Sequence, residues 1–317
     1  MRSMSEIVRS LAPQKKVFIV GSAFVDVVIR VPGMPTSGQD LEGDCRMTSV
    51  GGCSFNVADV LHKLGLPFES LMPVGEGVMS LRVAETFRDR GYPIRRYPGF
   101  GDNGWCLSLV EPEGERTFIS MSGIETRMQP AWFDAFDMAS FDIVYVSGYQ
   151  LEGANARVVL DAVKRCRPDA ELVIDLGPRA QSMPKALLDE ICAMHPIMKL
   201  NDQEAQAVTG NASAEAASRV LCEMTGAPAV ITDGARGAVL AEKGSVRLIE
   251  GYPCKVVDTI GSGDAHAGGF IAGRMCGLTL DESVLLANAV ASVVTSREGA
   301  ACAPTLAELQ ALHYGVA

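Results

Sequence analysis

The sequence predicts an α/β protein with a mostly parallel central sheet, helices on its flanks and a small β lid. Short apolar runs typical of buried strands, such as 143–146 and 229–232, alternate with segments of helical periodicity. Strands that alternate with helices usually form parallel sheets with helices on both faces. A hairpin pattern at 105–121 and a polar, glycine-rich stretch at 33–50 break this alternation. These segments predict the lid, with bounds of about 33–50 and 100–122.

The individual elements follow from apolar periodicity and from the glycines that end helices, such as Gly65 and Gly91. Strands are predicted at 17–20, 105–110, 116–120, 143–146, 172–174, 197–200, 229–232 and 255–257. Helices are predicted at 57–64, 81–90, 154–165, 185–194, 202–208, 264–276 and 281–296. Residues 1–15 are expected to form a loosely attached N-terminal extension, so a single domain is predicted for 16–317.

Composition limits the classes of function. With 317 residues, 48% hydrophobic and 21% charged, the chain can bury a large core. Its formal net charge of -10 repels phosphate backbones and argues against nucleic acid as a partner. The sequence has no apolar run of membrane-spanning or signal-peptide length. Nine cysteines occur without a Cys-x-x-Cys pair, which is typical of reduced thiols and predicts a cytoplasmic protein.

The strongest local signal is the segment 258–270, where an expected strand leads into a Gly-Ser-Gly turn and a helix. Gly261 and Gly263 allow a tight turn, and the N–H groups of the helix N-terminus can bind an anion there. Asp264 lies in the first turn, where the helix dipole should keep its carboxylate ionised at neutral pH. A carboxylate beside an anion site suits deprotonation of a hydroxyl during phosphoryl transfer. An ordinary helix start with a capping acid explains the local pattern equally well.

The sequence lacks two common nucleotide-binding motifs. The chain contains no G-x-x-x-x-G-K-[ST] pattern and therefore no P-loop. The Gly261–Gly263 turn lacks the third glycine of a dinucleotide fingerprint and lies near the C-terminus. A Rossmann oxidoreductase is thus disfavoured.

The segment 258–264, Asp-Thr-Ile-Gly-Ser-Gly-Asp, followed by glycines at 268–269, resembles the C-terminal signature of the ribokinase-like (PfkB) carbohydrate kinases. The segment 51–56, Gly-Gly-Cys-Ser-Phe-Asn, resembles their N-terminal signature. The resemblance extends over about 17–304, and the chain is similar to uncharacterised bacterial sugar kinases. It implies a ribokinase-like fold and ATP-dependent phosphorylation of a hydroxyl on a small sugar or sugar derivative, by direct in-line transfer.

The resemblance also implies roles for single residues. Asp264 would be the catalytic base. The residues that would stabilise the transferring phosphoryl group are Gly261, Ser262 and Gly263. Those that would bind the acceptor are Asp26, Gly51, Gly52 and Asn56. From the residues alone, Asp26 could equally be a surface acid at a strand end, and the two glycines a plain turn before a helix.

On the nucleotide side, Asn201 and Glu204 resemble the family's N-x-x-E motif, in which Glu204 would hold Mg²⁺ through water. The same pair is also typical of a helix capping box. The other expected nucleotide contacts are Thr232, Gly234, Gly237 and Asn288. The expected cofactors are ATP and Mg²⁺, and a monovalent cation such as K⁺ is implied at Asp258, Ile260 and Gly299. Arg236 is either a phosphate contact or a solvated turn residue.

Some positions depart from the family pattern. Gly177 stands where the family often has Asn, so no role is transferred to it, although Arg179 nearby could reach the phosphoryl group. His266 occupies a position that is apolar or aromatic in many members, and we interpret it as a packing residue. Cys53 lies at a variable position and is expected to shape the pocket.

Alternatives remain open at this point. The same family contains nucleoside kinases, for which Phe55, Trp105 or Phe118 could form an aromatic wall for the base. A non-catalytic regulator that binds sugar or nucleotide is a further alternative, which retention of Asp264 and its glycines disfavours. The expected partners are a sugar or nucleoside and ATP. The sequence does not decide whether the lid also forms a homodimer contact.

Overall fold

The computed structural model describes residues 2–311, so Met1 and the last six residues of the predicted domain, 312–317, lie outside the described residues. The strands are β1 (Val17–Val20), β2 (Phe24–Arg30), β3 (Asp44–Gly51), β4 (Glu69–Leu71), β5 (Trp105–Val110), β6 (Arg116–Met121), β7 (Ile143–Ser147), β8 (Glu171–Asp175), β9 (Ile197–Asn201), β10 (Ala229–Thr232), β11 (Gly237–Glu242) and β12 (Ser245–Glu250). The α-helices are α1 (Met4–Arg9), α2 (Cys53–Lys63), α3 (Val78–Asp89), α4 (Gly153–Val163), α5 (Lys185–Cys192), α6 (Asp202–Thr209), α7 (Ala214–Thr225), α8 (Ser262–Met275), α9 (Leu280–Thr295) and α10 (Leu306–Ala311).

The central sheet has eight strands in the order β12-β11-β10-β9-β8-β7-β1-β4. All neighbours are parallel except for the antiparallel pairs β10–β11 and β11–β12 at one end. In β1, Val17 and Ile19 join the hydrophobic core on one face, while Phe18 and Val20 join the core on the other. Burial on both faces explains why these strands appear in the sequence as continuous apolar runs. The predicted, mostly parallel sheet is confirmed.

A second sheet has four strands in the order β3-β2-β5-β6, and we call it the lid sheet. The β5–β6 hairpin was expected, and β3 lies at the end of the predicted 33–50 segment. Sequence analysis missed β2, whose residues Phe24–Arg30 pair with both β3 and β5. The prediction failed because only three residues separate the end of β1 from the start of β2. Asp26 consequently lies within the lid sheet.

Two other expectations are corrected. Residues 255–257 form no strand, because Val256 and Val257 are exposed and the segment reaches α8 as irregular chain. Residues 1–15 are not loosely attached, since α1 buries Met4, Ile7 and Val8 in the core against α9 and α10. Apolar residues at positions 4, 7 and 8 have the spacing of one helical face, which was the available signal.

Helix α8 is held close to its neighbours by glycines. A Cβ on Gly268 would lie 2.6 Å from Cβ of Val60 in α2, and one on Gly269 would lie 2.7 Å from Cα of Ala287 in α9. Real side chains are almost never this close, so the signature glycines allow α8 to pack directly against both helices. This packing fixes the position of the α8 N-terminus. Within residues 2–311, no helix is long and apolar enough to cross a membrane.

Candidate active site

The N-terminus of α8 forms one wall of the candidate site. Its N-cap, Gly261, has φ +77°, and a Cβ there would lie 2.8 Å from Cα of Ala300. Glycine is therefore required both by the left-handed backbone and by the close contact. The Ser262 hydroxyl hydrogen-bonds the Thr295 hydroxyl at 2.8 Å. Among the described residues no side chain caps this helix, so its first-turn N–H groups can receive an anion.

Asp264 lies in the first turn of α8 and is contacted from α2. The Asn56 side-chain amide donates to Asp264 Oδ2 at 2.7 Å. Burial raises the pKa of Asp264, aided by the negative charge of Asp175, and outweighs the Asn56 hydrogen bond and the charge of Lys199. Burial therefore works against the expected effect of the helix dipole. A carboxylate whose pKa is raised is a stronger base once ionised.

Lys199 is a site residue that sequence analysis missed. It lies in β9, is only 2% exposed, and donates from Nζ to Asp175 Oδ2 at 3.0 Å and to the Gly263 carbonyl at 2.8 Å. Burial alone would lower the pKa of Lys199, but Asp175 and neighbouring carboxylates raise it overall, so the ammonium stays charged. Lys199 thus ties the glycine turn to the central sheet. A lysine inside the apolar run 197–200 was the available signal.

Asn201 and Glu204 form the capping box at the start of α6. The Asn201 side chain accepts from Glu204 N at 2.8 Å, and Glu204 Oε2 accepts from Asn201 N at 2.9 Å. Burial, followed by the charge of Asp175, raises the pKa of Glu204 to about 7. A nearby divalent cation would relieve this unfavourable burial of negative charge, so the carboxylate suits Mg²⁺. The described residues contain no group of three or more acidic, His or Cys side chains able to hold a metal.

On the acceptor side, Asp26 projects from β2 beside the glycines that precede α2. A Cβ on Gly51 would lie 2.4 Å from Asp26 Oδ2, so glycine leaves the space that this carboxylate occupies. Gly52 is the N-cap of α2. Burial raises the pKa of Asp26 to about 6. Asn56 Oδ1 is buried without a hydrogen-bond partner within the described structure, and a substrate hydroxyl could donate to it.

A cavity of about 540 Å³ opens between the lid sheet, α3 and the loops 258–260 and 298–302. Asp26 and Gly51 line it, whereas Asn56 and Asp264 are not among its lining residues. The predicted cation positions Asp258, Ile260 and Gly299 also line this cavity. The structure therefore places the expected acceptor carboxylate and the expected cation loops around one space.

The two cation loops contact each other through the Asp258 carboxylate. Asp258 accepts from the N–H groups of Ile260 at 3.0 Å and Gly299 at 3.3 Å. The Gly299 carbonyl accepts from the Cys302 thiol at 2.9 Å, and an Arg116 guanidinium lies 3.5 Å from Asp258. Binding of K⁺ at these loops stays a prediction, and we assign it no step.

The residues at the end of β10 and after it that were predicted to bind the nucleotide differ in how much space surrounds them. The Thr232 hydroxyl donates to the Leu200 carbonyl at 3.4 Å, and Gly234 opens a short turn with free space around it. A Cβ on Gly237 would lie 2.2 Å from the Ile249 carbonyl oxygen, so this glycine is required by sheet packing. Arg236 forms ion pairs with carboxylates on the surface, which supports the solvated interpretation.

Asn288 and His266 form a buried pair between α9 and α8. Asn288 Nδ2 donates to the carbonyls of Ile249 at 2.9 Å and Glu250 at 3.0 Å. Its Oδ1 must then accept from His266 Nε2 at 3.1 Å, which assigns the proton to Nε2. Burial lowers the pKa of His266 to about 3, so the ring is neutral. Because both Asn288 donors are used internally, its position does not support the expected contact with adenine.

Arg179 lies in the short helical turn Gly177–Gln181 that follows β8. Its guanidinium stacks over the Tyr149 ring at 4.6 Å and lies 2.9 Å from Glu152. These contacts already hold the side chain, so its predicted reach to the phosphoryl group stays a prediction. Gly177 donates its backbone N–H to Asp175 at 3.1 Å and takes no other part in the site.

Comparison with known proteins decides the family. A family model described as pfkB family carbohydrate kinase matches residues 14–306. The chain belongs to this family. It is 37% identical over 310 residues to the uncharacterized sugar kinase YegV of Escherichia coli (strain K12), a match that covers 96% of each chain. The ribokinase of Haemophilus influenzae is 24% identical, covering 90% of this chain and 94% of that protein. This pfkB family member is thus a carbohydrate kinase.

Solved structures confirm the ribokinase-like fold of this pfkB protein. The ribokinase of Thermotoga maritima superposes with a TM-score of 0.81 at 21% identity, covering 94% of this chain and 98% of that one. Arabidopsis thaliana ribokinase complexed with ribose and ATP also gives a TM-score of 0.81 at 21% identity, covering 94% and 99%.

Proposed function

We propose that this carbohydrate kinase transfers the γ-phosphoryl group of ATP directly to a hydroxyl of a small sugar or sugar derivative, with Asp264 as general base. The observation that carries the proposal is the contact between Asn56 and Asp264. It joins the residue expected to bind acceptor hydroxyls to the residue expected to deprotonate one. Both lie beside the uncapped N-terminus of α8, where developing phosphoryl charge is stabilised.

The proposed reaction is a single displacement. The acceptor hydroxyl attacks the γ-phosphorus as its proton passes to an Asp264 carboxylate oxygen, and the bond to the β-phosphate oxygen breaks to release ADP. Asn56 holds the Asp264 carboxylate by donating to Oδ2. Lys199 holds the glycine turn through the Gly263 carbonyl. Mg²⁺, oriented through water by Glu204, would supply positive charge to the ATP phosphates.

A nucleoside acceptor has less support. Of the three aromatic residues that could form a wall for a base, Phe55 is fully buried against Phe87, and Trp105 packs against the core. Phe118 alone of the three lines the cavity. A non-catalytic regulator would not need a carboxylate at Asp264 held by the Asn56 amide.

The proposal is tested by an ATP-coupled assay of the purified protein against a panel of sugars, sugar derivatives and nucleosides. Phosphorylation of a sugar-class acceptor that depends on Asp264 supports it. Transfer confined to nucleosides would favour the alternative acceptor class, and ATP binding without transfer to any member of a broad panel would contradict the proposed activity.

Acceptor use should depend on the ionisation of Asp26. Because burial raises its pKa to about 6, the carboxylate loses its charge as pH falls through that value. We expect kcat/KM for the acceptor to fall about tenfold per pH unit below pH 6. The measurement is a pH profile of kcat/KM at saturating ATP. Asp26→Asn is the matched control, which should weaken acceptor binding in calorimetry far more than ATP binding. A variant that binds the acceptor as tightly as wild type would remove Asp26 from the acceptor site.

Glu204→Gln separates metal binding from helix capping. Glutamine retains an oxygen that can accept from Asn201 N, but it lacks the charge that suits Mg²⁺. We expect the Mg²⁺ dependence of the rate to shift to higher concentration while the melting temperature hardly changes. In the wild type, Mg²⁺ affinity should rise with pH through about 7, as the carboxyl ionises. A changed melting temperature with an unchanged Mg²⁺ titration would leave Glu204 a capping residue alone.

A further inference from the structure

The cavity beside Asp26 is bordered by four arginines from three elements. Arg46 lies on β3, Arg82 on α3, Arg90 just beyond the end of α3 at its C-cap, and Arg116 on β6. The whole chain carries 28 Lys and Arg against 38 Asp and Glu, so its global field is negative. Three carboxylates, Asp26, Asp258 and Glu298, also line the cavity, so arginines outnumber acidic side chains there, which is the reverse of the balance in the whole chain.

One of the four arginines is structural. A carboxylate oxygen of Asp59, which is fully buried, accepts from Arg90, and the guanidinium also lies 4.7 Å from the centre of the Phe55 ring. Asp59 also accepts from Ala303 N at 3.4 Å. Arg90 thus connects α2, α3 and the loop before α10, and its charge is matched by a buried partner.

The other three arginines have weaker partners. Arg82 and Arg46 are about half exposed and lie 3.8 Å from Glu85 and 3.1 Å from Asp44, respectively. The Arg116 guanidinium is 3.5 Å from Asp258. The Arg46–Asp44 and Arg82–Glu85 pairs are exposed and contribute little to stability, so these two guanidinium groups can turn to a ligand at low cost.

The position of these arginines points to the acceptor. The cavity includes Asp26 and Gly51, which we assign to the acceptor, but not Asn201, Glu204 or Thr232 on the proposed nucleotide side; Asn56 and Asp264 also lie outside its lining. Guanidinium groups bind phosphate and carboxylate through paired N–H donors in one plane. Its volume of about 540 Å³ lies within the range of pockets that enclose ligands larger than a few atoms.

We propose that Arg46, Arg82 and Arg116 form an anion subsite, and that the acceptor is a sugar that already carries a phosphate or carboxylate group. This inference rests on the proposed kinase function and specifies its substrate class. The hydroxyl end of the acceptor is held by Asp26 and Asn56, and its anionic group is held by the arginines. The reaction with a sugar phosphate would produce a bisphosphate.

The first experiment compares acceptors in matched sets. Each set contains a neutral sugar, the same sugar with a phosphate ester, and the corresponding sugar acid, assayed with the wild-type protein and saturating ATP. We expect an anionic member to be preferred over its neutral counterpart by roughly 10- to 100-fold in kcat/KM, as charge-assisted hydrogen bonds would give. Preference for the phosphate or for the acid identifies the group. Equal or better use of the neutral sugars would overturn the inference while leaving the kinase function intact.

The second experiment uses Arg82→Gln and Arg46→Gln, with Arg165→Gln as the matched control. Arg165 has similar exposure and pairs with Asp134 on the surface, outside the cavity lining. We expect the first two variants to lower the ratio of anionic to neutral kcat/KM by roughly 10-fold each, and the control to leave it unchanged. An unchanged ratio in both test variants would overturn the inference.

A binding measurement separates failure of the inference from failure of the proposed function. Calorimetry with sugar phosphates and sugar acids on the ATP-free protein requires no turnover. Binding that Arg82→Gln weakens and Arg165→Gln does not would support the subsite even if no acceptor is phosphorylated. Absence of binding by every anionic sugar, with neutral sugars bound, would overturn it.

Discussion

Asp264→Asn should lower the kinase rate by roughly 10²–10⁴-fold, the usual cost of losing a general base. Asparagine keeps the size of the side chain and an oxygen that can accept from Asn56, but it cannot take the proton of the attacking hydroxyl. Burial raises the pKa of the Asp264 carboxyl, and its neighbours include the charge of Asp175. Removing one negative charge should therefore leave ATP affinity unchanged or slightly increased. The measurements are steady-state turnover and nucleotide affinity of the same folded variant.

Asp134→Asn provides the control for this experiment, since Asp134 is an exposed acid that pairs with Arg165 away from the site. It should retain wild-type turnover. A melting temperature close to wild type would show that Asp264→Asn is folded. If that folded variant kept more than roughly a tenth of wild-type turnover, a smaller loss than a base should give, Asp264 would be a helix-start acid without the proposed role.

Lys199→Met should lower the free energy of unfolding by roughly 3–5 kcal/mol, because it leaves Asp175 buried without its cation. Lys199 is almost fully buried, and the Gly263 carbonyl also loses the Lys199 Nζ as its hydrogen-bond donor. The glycine turn would lose its tie to the central sheet, so phosphoryl transfer should fall as well. Chemical denaturation at neutral pH measures the loss of stability.

A double variant decides whether the effect comes from the unpaired charge. Asp175→Asn combined with Lys199→Met removes both charges and should recover part of the lost stability. Lys185→Met is the surface control, because Lys185 pairs with Asp189 in an exposed i,i+4 contact and should matter little. A loss no larger in Lys199→Met than in Lys185→Met would mean that the Lys199–Asp175 contact does not hold this part of the sheet together.

Several features of the site were predictable because they depend on local chain geometry. Gly261 takes a left-handed φ at the start of α8, and the sequence shows this as a glycine turn before an apolar helix. The Asn201–Glu204 capping box follows from residues three apart. The failed strand at 255–257 shows the limit of such patterns. Val256 and Val257 have high strand propensity, but no strand within residues 2–311 pairs with them.

Contacts between segments that are distant in the chain could not be predicted from such local patterns. Lys199 meets Asp175 and Gly263 only because β8, β9 and α8 converge at one end of the sheet. Asn288 looked like a nucleotide contact because of its helix position, but packing directs its amide inward to two backbone carbonyls. The arginines around the cavity are separated by up to 70 positions in the chain, so their proximity has no sequence pattern.

The sequence by itself determined the α/β class, the lid hairpin and the two glycine-rich signatures that identify the family. These features depend on residues close together in the chain, where periodicity and backbone conformation act directly. Only the tertiary structure decided that β2 joins the lid sheet and that Asn56 contacts Asp264, 208 positions away. It also decided that burial raises the pKa values of Asp26, Glu204 and Asp264. Desolvation depends on what surrounds a group in space, and the folded chain alone specifies those surroundings.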